Sequence, residues 1–312
     1  MRTILVTATG GHLTELVRLR PRLGLEEPPT WVTPESDQTR TLLRGERIVA
    51  ARNVIPRDHT AVARNLPLAW RLLGDGEAKR VISNGSGIAL SFLPLARARG
   101  HEVHYLESAV RTVGPSMTGK LLAAVPGIRL YTQWPAWASA RWRCPGSVFD
   151  AYTPVAGDPP ADRLKVAVTL GTMPFPMRRL VERLVQIMDG RAKVVLWQTG
   201  PTPLDGLSIP GRRTVSYAEL QAAFREADVV VSHAGIGSAL DVMDAGRMPL
   251  LVPRRPNLGE HVDDHQFLMA RELARRGLAH VRHAEELTFD DLVAAAGAGV
   301  TAAVDPPPIE LR

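Results

Sequence analysis

Four times the chain passes from a short apolar, β-branched run into a glycine turn and then into a helical pattern. Residues 3–7 lead into Thr9-Gly10-Gly11-His12, and residues 80–83 into Asn84-Gly85-Ser86-Gly87. Residues 164–170 lead into Gly171-Thr172, and residues 228–232 into His233-Ala234-Gly235-Ile236-Gly237-Ser238. After the first turn Leu13, Leu16, Val17 and Leu23 recur at helical spacing, and a second helix is predicted over 88–99. A third helix, through Leu180, Leu184 and Ile187, is predicted directly after Gly171-Thr172, and a fourth starts near Ser238. Further strands are predicted at 102–106, 193–197 and 248–253, and further helices at 219–227 and 265–276. Parallel neighbours need a crossover, and strand–helix alternation supplies one, so the pattern predicts an α/β chain with parallel sheets.

Periodicity is lost through Pro154-Val155-Ala156-Gly157-Asp158-Pro159-Pro160, the best linker candidate. A chain of 312 residues accommodates two domains of about 150 residues. The expected division is a Rossmann-like domain over 1–155, a second over 162–300, and an extended tail over 301–312, where Asp305-Pro306-Pro307-Pro308 opposes a helix. With 45% hydrophobic and 22% charged residues, wholesale disorder is excluded. No apolar run approaches the ~20 residues of a membrane span. The opening residues show no charged n-region followed by an apolar stretch and cleavage site, so export is not expected. The lone Cys144 rules out an intrachain disulfide framework and a thiolate zinc cluster, so a cytoplasmic setting is expected.

Charge is unevenly placed. Residues 1–156 hold 20 Lys+Arg against 12 Asp+Glu, whereas residues 157–312 hold 18 against 20. Either the first half meets something anionic, or it carries a solvated arginine-rich face. Arg111, Lys120 and Arg129 flank an apolar stretch at 121–126, which reads equally as a membrane-surface contact or as an ordinary buried helix. Nucleic acid is not an expected partner, because the basic residues are dispersed and no binding module is recognisable.

In open α/β sheets ligands bind beyond the carboxyl ends of the strands, where these glycine turns fall. Glycines let backbone approach a phosphate, and a helix start attracts its charge. Gly235-Ile236-Gly237-Ser238-Ala239-Leu240 matches part of a dinucleotide fingerprint, but Leu240 replaces the third glycine. The next strand ends in Pro253-Arg254-Arg255 without an acid for an NAD ribose. Phosphate binding fits better than NAD, the alternative being glycines needed for helix–sheet packing alone. Asp241, one turn past Ser238, can reach sugar hydroxyls or complement the helix dipole. In His261-Val262-Asp263-Asp264-His265-Gln266 the two histidines are four apart, but Val262 stands where a metalloprotease needs Glu. The segment reads instead as a polar sugar site or as a helix start with Asp263 near the N-cap. His12 is a general-base candidate or a helix-start histidine bonded to backbone. Glu107, at a strand's carboxyl end, is a second base candidate, or a loop acid partnering Arg111.

These residues carry a family resemblance. Through Thr9-Gly10-Gly11-His12, Asn84-Gly85-Ser86-Gly87 and Tyr105-Leu106-Glu107-Ser108-Ala109-Val110-Arg111, the first half resembles the membrane subunit of the dolichol- or polyprenol-linked N-acetylglucosamine transferase pair. Through Val168-Thr169-Leu170-Gly171-Thr172, Ser232-His233-Ala234-Gly235-Ile236-Gly237-Ser238 and Asp263-Asp264-His265-Gln266, the second half resembles its catalytic subunit. The whole is similar to MurG-type transferases, over most of residues 3–280. Two departures stand out. Asp241 replaces the usual Glu, and two functions normally on separate eukaryotic chains would be fused here.

The resemblance implies a GT-B fold, two Rossmann-like doubly wound domains facing across a cleft. It implies an inverting glycosyltransferase, with no cofactor and no metal, that moves a hexose (GlcNAc expected) from a UDP-sugar to an acceptor hydroxyl. The expected acceptor is a polyprenyl-diphosphate-linked sugar; a soluble natural-product acceptor, a UDP-sugar 2-epimerase and a non-catalytic UDP-sugar-binding subunit are the alternatives. The expected place is the cytoplasm, with peripheral contact at the inner membrane face. Gly235, Gly237, Ser238 and His233 would take the diphosphate, with Gly171 and Thr172 on its other side. Asp241 would take the ribose, and Gln266 with Asp263 or Asp264 the donor sugar. Gly10, Gly11, Gly85, Gly87 and Arg111 would line the acceptor side, where His12 or Glu107 would be the base.

Overall fold

The computed structural model describes residues 2–312 apart from Pro56, Arg57, Asp75 and Ala78. The chain forms two compact units, one of Met1–Asp150 with Asp305–Arg312, the other of Ala151–Val304.

The first unit is built on seven parallel strands: β1 (Thr3–Val6), β2 (Thr30–Thr33), β3 (Arg47–Ala50), β4 (Arg80–Ser83), β5 (Glu102–Leu106), β6 (Arg129–Tyr131) and β7 (Trp142–Arg143). Their order is β3-β2-β1-β4-β5-β6-β7, so the winding reverses between β1 and β4. The crossovers include α1 (Gly11–Leu19), α2 (Asp37–Leu42), α3 (His59–Leu72), α4 (Ile88–Ala98) and α5 (Met117–Ala123). β1 is buried at every position because helices cover both sheet faces, which is why it reads as an unbroken apolar run. Ile4, Val6, Val32, Val81, Ile88, Phe92, Val103 and Tyr105 form a core on one side of this sheet.

The second unit opens with β8 (Tyr152–Ala156) and then winds a five-stranded parallel sheet: β9 (Leu164–Thr169), β10 (Ala192–Gln198), β11 (Val229–Ser232), β12 (Pro249–Leu251) and β13 (His280–Val281). The order β10-β9-β11-β12-β13 reverses between β9 and β11. Its helices are α6 (Arg178–Met188), α7 (Tyr217–Glu226), α8 (Ile236–Asp244), α9 (His265–Arg275) and α10 (Phe289–Ala296). A last strand, β14 (Ala298–Ala302), pairs antiparallel with β8. Both units are therefore Rossmann-like.

Two boundaries differ from the sequence expectation. Residues 152–156 are a strand rather than linker, because a two-stranded ribbon tolerates proline where its missing N–H faces away from the partner. Thr301 and Ala302 belong to β14 rather than to a tail. Residues 305–312 are extended and clip onto the first unit: Ile309 is 1% exposed and its N–H donates to the Arg22 carbonyl (2.7 Å), while Arg22 Nε donates to the Pro307 carbonyl (2.8 Å). Among the described residues no helix is long and apolar enough to cross a membrane.

Candidate functional site

The glycine turns occupy the two places where the winding reverses. In the first unit they follow β1 and β4, and in the second they follow β9 and β11. Crevices at the carboxyl ends of such strand pairs are where open α/β sheets bind ligands. Among the described residues two non-glycine positions have positive φ, Ser86 (63°) and Ala234 (60°). Each lies in the turn that leaves one of these central strands. A left-handed alanine costs on the order of 1 kcal/mol or more, and such strain gathers at functional turns.

In the second unit His233 explains two of the glycines. Its imidazole is 5% exposed and wedged between the Gly171 and Gly235 turns. A Cβ on Gly171 would stand 2.7 Å from His233 Cε1, and one on Gly235 2.8 Å from the same atom and closer still to Nε2. His233 Nδ1 lies 3.4 Å from the Thr169 carbonyl, which can only accept, so Nδ1 carries the hydrogen. Burial, reinforced by the Arg254 charge, pushes this histidine down to about 3, so it is neutral at ordinary pH. The His233 ring, expected beside the diphosphate, is placed where it sets the spacing of the two turns.

α8 begins at Ile236, two residues earlier than the sequence pattern indicates, with Gly235 at the N-cap and no side chain capping it. The first bond of its ladder runs from Ala239 N–H to the Gly235 carbonyl at 3.0 Å. The amides of Ile236, Gly237 and Ser238 precede that bond and have no intrahelical acceptor. Gly235, Gly237 and Ser238 are half-buried, so other chain does not seal the helix start. Thr172 is exposed, and the helix expected directly after it starts only at Arg178. Pro174 and Pro176 hold the residues before them away from helical dihedrals.

Asp241 is 4% exposed, and its Oδ1 accepts the Tyr217 hydroxyl at 2.6 Å. Tyr217, the first residue of α7, was invisible to sequence reasoning because 24 residues separate the pair. Gln266 is also 4% exposed, its Oε1 facing the Arg254 amide at 3.4 Å. Arg254, unassigned from sequence beyond ending a strand without an acid, is a buried clamp. Its Nη2 donates to the Leu170 carbonyl (2.6 Å) and Nη1 to that of Glu260 (3.4 Å), and burial lowers its pKa to about 10. Asp264, not Asp263, holds the N-cap position of α9, and its side chain makes no cap bond. The Asp263 carboxylate instead lies 3.3 Å from His261 Nδ1 and closer still to His265. The ligand atoms of His261, Asp263 and His265 lie within 4.8 Å of one another. His261 Nδ1 already accepts the Asp263 N–H (3.3 Å), and the Arg254 charge bears on the same ring, so a cation would compete with both.

In the first unit Asn84 joins the turns. It accepts the Thr7 hydroxyl (2.8 Å), and its Nδ2 donates to the His12 carbonyl (2.7 Å). Its own carbonyl lies 3.1 Å from His12 Nδ1, which must donate, leaving the Nε2 lone pair as the basic site. Burial, with the Arg111 charge adding to it, holds His12 down at about 4 against the backbone bond. Gly85, at φ 114°, leaves room for this ring, since a Cβ there would come 3.3 Å from His12 Cε1 and 3.2 Å from the Tyr105 hydroxyl. Gly10 caps α1 at φ 77°, and Gln38 clamps it by accepting its N–H (2.7 Å). Gly11 is the first residue of α1. Gly87 packs where a Cβ would press Val54 Cγ1 at 2.5 Å, so that glycine serves packing.

Glu107 is 2% exposed. Oε1 accepts the Tyr105 hydroxyl (3.1 Å), and Oε2 accepts the Ser116 amide (2.8 Å) and hydroxyl (2.9 Å). Burial raises its pKa while these donors oppose the rise. Both oxygens are thus engaged, Oε2 fixing the N-terminus of α5 and Oε1 holding the Tyr105 hydroxyl of β5. Arg111 bears electrostatically on both His12 and Glu107, so the three form one neighbourhood. Glu15, one helical turn beyond His12, is fully buried and accepts the Ser108 hydroxyl (2.7 Å), the Ala109 amide (2.8 Å) and the Gln133 side chain. It ties the His12 helix to the Glu107 loop.

Residues 165–301 match the glycosyltransferase family 28 C-terminal domain. The fold class is GT-B, and the second unit is similar to that domain over these residues. Two curated relatives carry the name UDP-N-acetylglucosamine–N-acetylmuramyl-(pentapeptide) pyrophosphoryl-undecaprenol N-acetylglucosamine transferase. The one from Cytophaga hutchinsonii is 33% identical over 103 residues (32% of this chain, 27% of that protein). The one from Cupriavidus metallidurans is 27% identical over 204 residues (62% and 54%). The chain thus spans between about a quarter and about half the length of these relatives. Among solved structures, MurG of Acinetobacter baumannii superposes with a TM-score of 0.58 at 19% identity, covering 94% of this chain and 89% of that one. The glycosyltransferase of kitacinnamycin gives 0.56 at 18%, covering 95% and 89%.

Proposed function

We propose that this protein is a glycosyltransferase that moves N-acetylglucosamine from UDP to the hydroxyl of a polyprenyl-diphosphate-linked sugar, with inversion. The observation that carries the reading is the uncapped, accessible first turn of α8 at the winding reversal of a unit similar to the family 28 C-terminal domain. Its amides and the helix dipole stabilise charge building on the departing diphosphate, and no metal is part of the proposal. Gln266 and Asp264 take the donor sugar, with Thr172 beside the phosphates. On the acceptor side, Nε2 of neutral His12 removes the hydroxyl proton as the oxygen attacks the anomeric carbon and UDP leaves from the opposite face. Glu107, with both oxygens engaged, holds the loop that carries Arg111 rather than taking the proton.

The lipid-linked acceptor is supported by the names of the curated relatives and by the first unit's surface. Val113, Met117 and Leu121 are 73%, 69% and 49% exposed beside Lys120, an apolar and basic combination suited to an anionic membrane face. The buried member of the 121–126 stretch is Leu122. The test incubates the enzyme with radiolabelled UDP-GlcNAc and a short polyprenyl-diphosphate-sugar. Equal amounts of UDP and of label in the lipid phase are expected. Epimerised UDP-sugar without acceptor, or transfer only to soluble aglycones, would overturn the respective part of the reading.

A further inference from the structure

We infer that Arg254 supplies a fixed, buried positive charge at the crevice between β9 and β11, and that this charge sets the affinity of the crevice for a multiply charged anion. The inference rests on the proposal that a nucleoside diphosphate sits at the α8 start. Arg254 follows β12, which ends at Leu251. From there its Nη2 reaches the Leu170 carbonyl, just past the end of β9, at 2.6 Å. β11 lies between β9 and β12 in the sheet, so the side chain crosses the carboxyl end of β11, where the His233–Ser238 turn leaves. Burial lowers the pKa of His233, and the Arg254 charge adds to the fall, so its field reaches the ring wedged between the Gly171 and Gly235 turns.

Among the described residues this guanidinium pairs with no carboxylate. It is 1% exposed, it donates to the carbonyls of Leu170 and Glu260, and its Nε is buried with no hydrogen-bond partner. The Glu260 carboxylate is taken by Arg179 at 2.8 and 2.9 Å and by the Arg255 amide at 2.9 Å. Glu285 lies 3.2 Å from Arg179 and 3.2 Å from Arg255. These two acids balance Arg179 and Arg255 and leave Arg254 in excess. Burial lowers its pKa to about 10 against the pull of Glu260, so it stays charged at neutral pH. A buried charge without an opposite one is costly to keep, and an anion in the crevice supplies the missing partner. Charges inside a protein are screened far less than in water, so the guanidinium acts on a phosphate without touching it. The charge on a diphosphate grows as its bond to a sugar breaks, and a fixed cation stabilises it most at that point.

The experiment is calorimetric binding of uridine, UMP and UDP to the full chain, to Arg254→Met and to Arg254→Gln, with thermal unfolding of all three proteins as the control. Both variants remove the charge, and Gln keeps a donor for a carbonyl. The wild-type protein is expected to bind UDP more tightly than UMP, and UMP more tightly than uridine. In both variants UDP is expected to weaken at least about tenfold, the scale of one unit charge at ~10 Å through an effective dielectric of about 20. Uridine, which carries no charge, is expected to stay within about twofold, the scatter of independent sites. Variants that weaken uridine and UDP alike make Arg254 purely a structural clamp and overturn the inference, leaving the UDP site standing. So does an unchanged ratio of UDP to uridine affinity, or UDP binding that Gln restores and Met does not. Uridine binding to the wild type as tightly as UDP overturns it whether or not the variants fold. Failure of the wild type to bind UDP overturns the UDP reading itself, and the inference with it.

Discussion

The His233 imidazole occupies the space that a side chain on Gly171 would need, 2.7 Å from the position of its Cβ. The same ring stands 2.8 Å from the Cβ position of Gly235, so one buried histidine sets the distance between the turns after β9 and β11. Gly171→Ala and Gly235→Ala are each expected to lower stability by about 1–3 kcal/mol, the usual cost of overpacking. For Gly171 a positive φ of 68° adds backbone strain. In Gly235→Ala, which has no such strain, adding His233→Ala is expected to restore part of the loss in urea denaturation. Strictly additive losses would separate the two residues.

Glu15 makes the stability of the first unit depend on pH. Burial raises its pKa to about 7 in the folded protein from 4.5, so the folded state favours the protonated acid. Its contribution is fully present below pH 4.5 and is lost as pH rises through about 7, a swing on the order of 3 kcal/mol. Glu15→Gln keeps the shape and cannot ionise. The variant is expected to gain on the wild type between pH 5 and pH 8 in paired denaturation curves. A constant difference across that window would show that Glu15 is ionised in both states.

His12 is held neutral at about 4, so it is ready to accept a proton throughout the neutral range. The acid limb of kcat is accordingly expected near pH 4 rather than near 6.5. His12→Ala is expected to lower kcat by about 10²-fold or more, the scale of a lost general base, while UDP affinity is unchanged. Glu107→Gln is expected to cost stability first, because its oxygens accept three donors at 2.8–3.1 Å. Wild-type turnover in His12→Ala would remove the base assignment.

The C-terminal clip is testable by a single truncation of a side chain. Ile309 is 1% exposed, and Ile309→Ala is expected to destabilise the first unit by about 2–5 kcal/mol. A loss under about 0.5 kcal/mol, the range of surface substitutions, would mean that the 305–312 segment does not stay docked in solution.

Strands with an apolar run on one side and a glycine turn on the other were legible. The boundaries read at 80–83 and 102–106 are those of β4 and β5. Edge elements were not. β7 and β13 have two residues each, β3 is a four-residue strand with exposed ends, and the β8–β14 ribbon is disguised by prolines. Of the site, the glycine turns, Asp241 and Gln266 could be picked out because strand ends and helix starts are local features. The residues that hold them could not: Tyr217, Arg254, Asn84 and Gln38 act through partners on other elements. Glu15 left one trace, an acid set among Leu13, Leu16 and Leu19 on the buried face of α1.

The most direct test is a structure of the protein with UDP bound. The account places phosphate oxygens within about 3 Å of the Gly237 and Ser238 amides, hydrogen-bonding distance for N–H donors. UDP bound at another strand end, with those amides facing solvent, would contradict it.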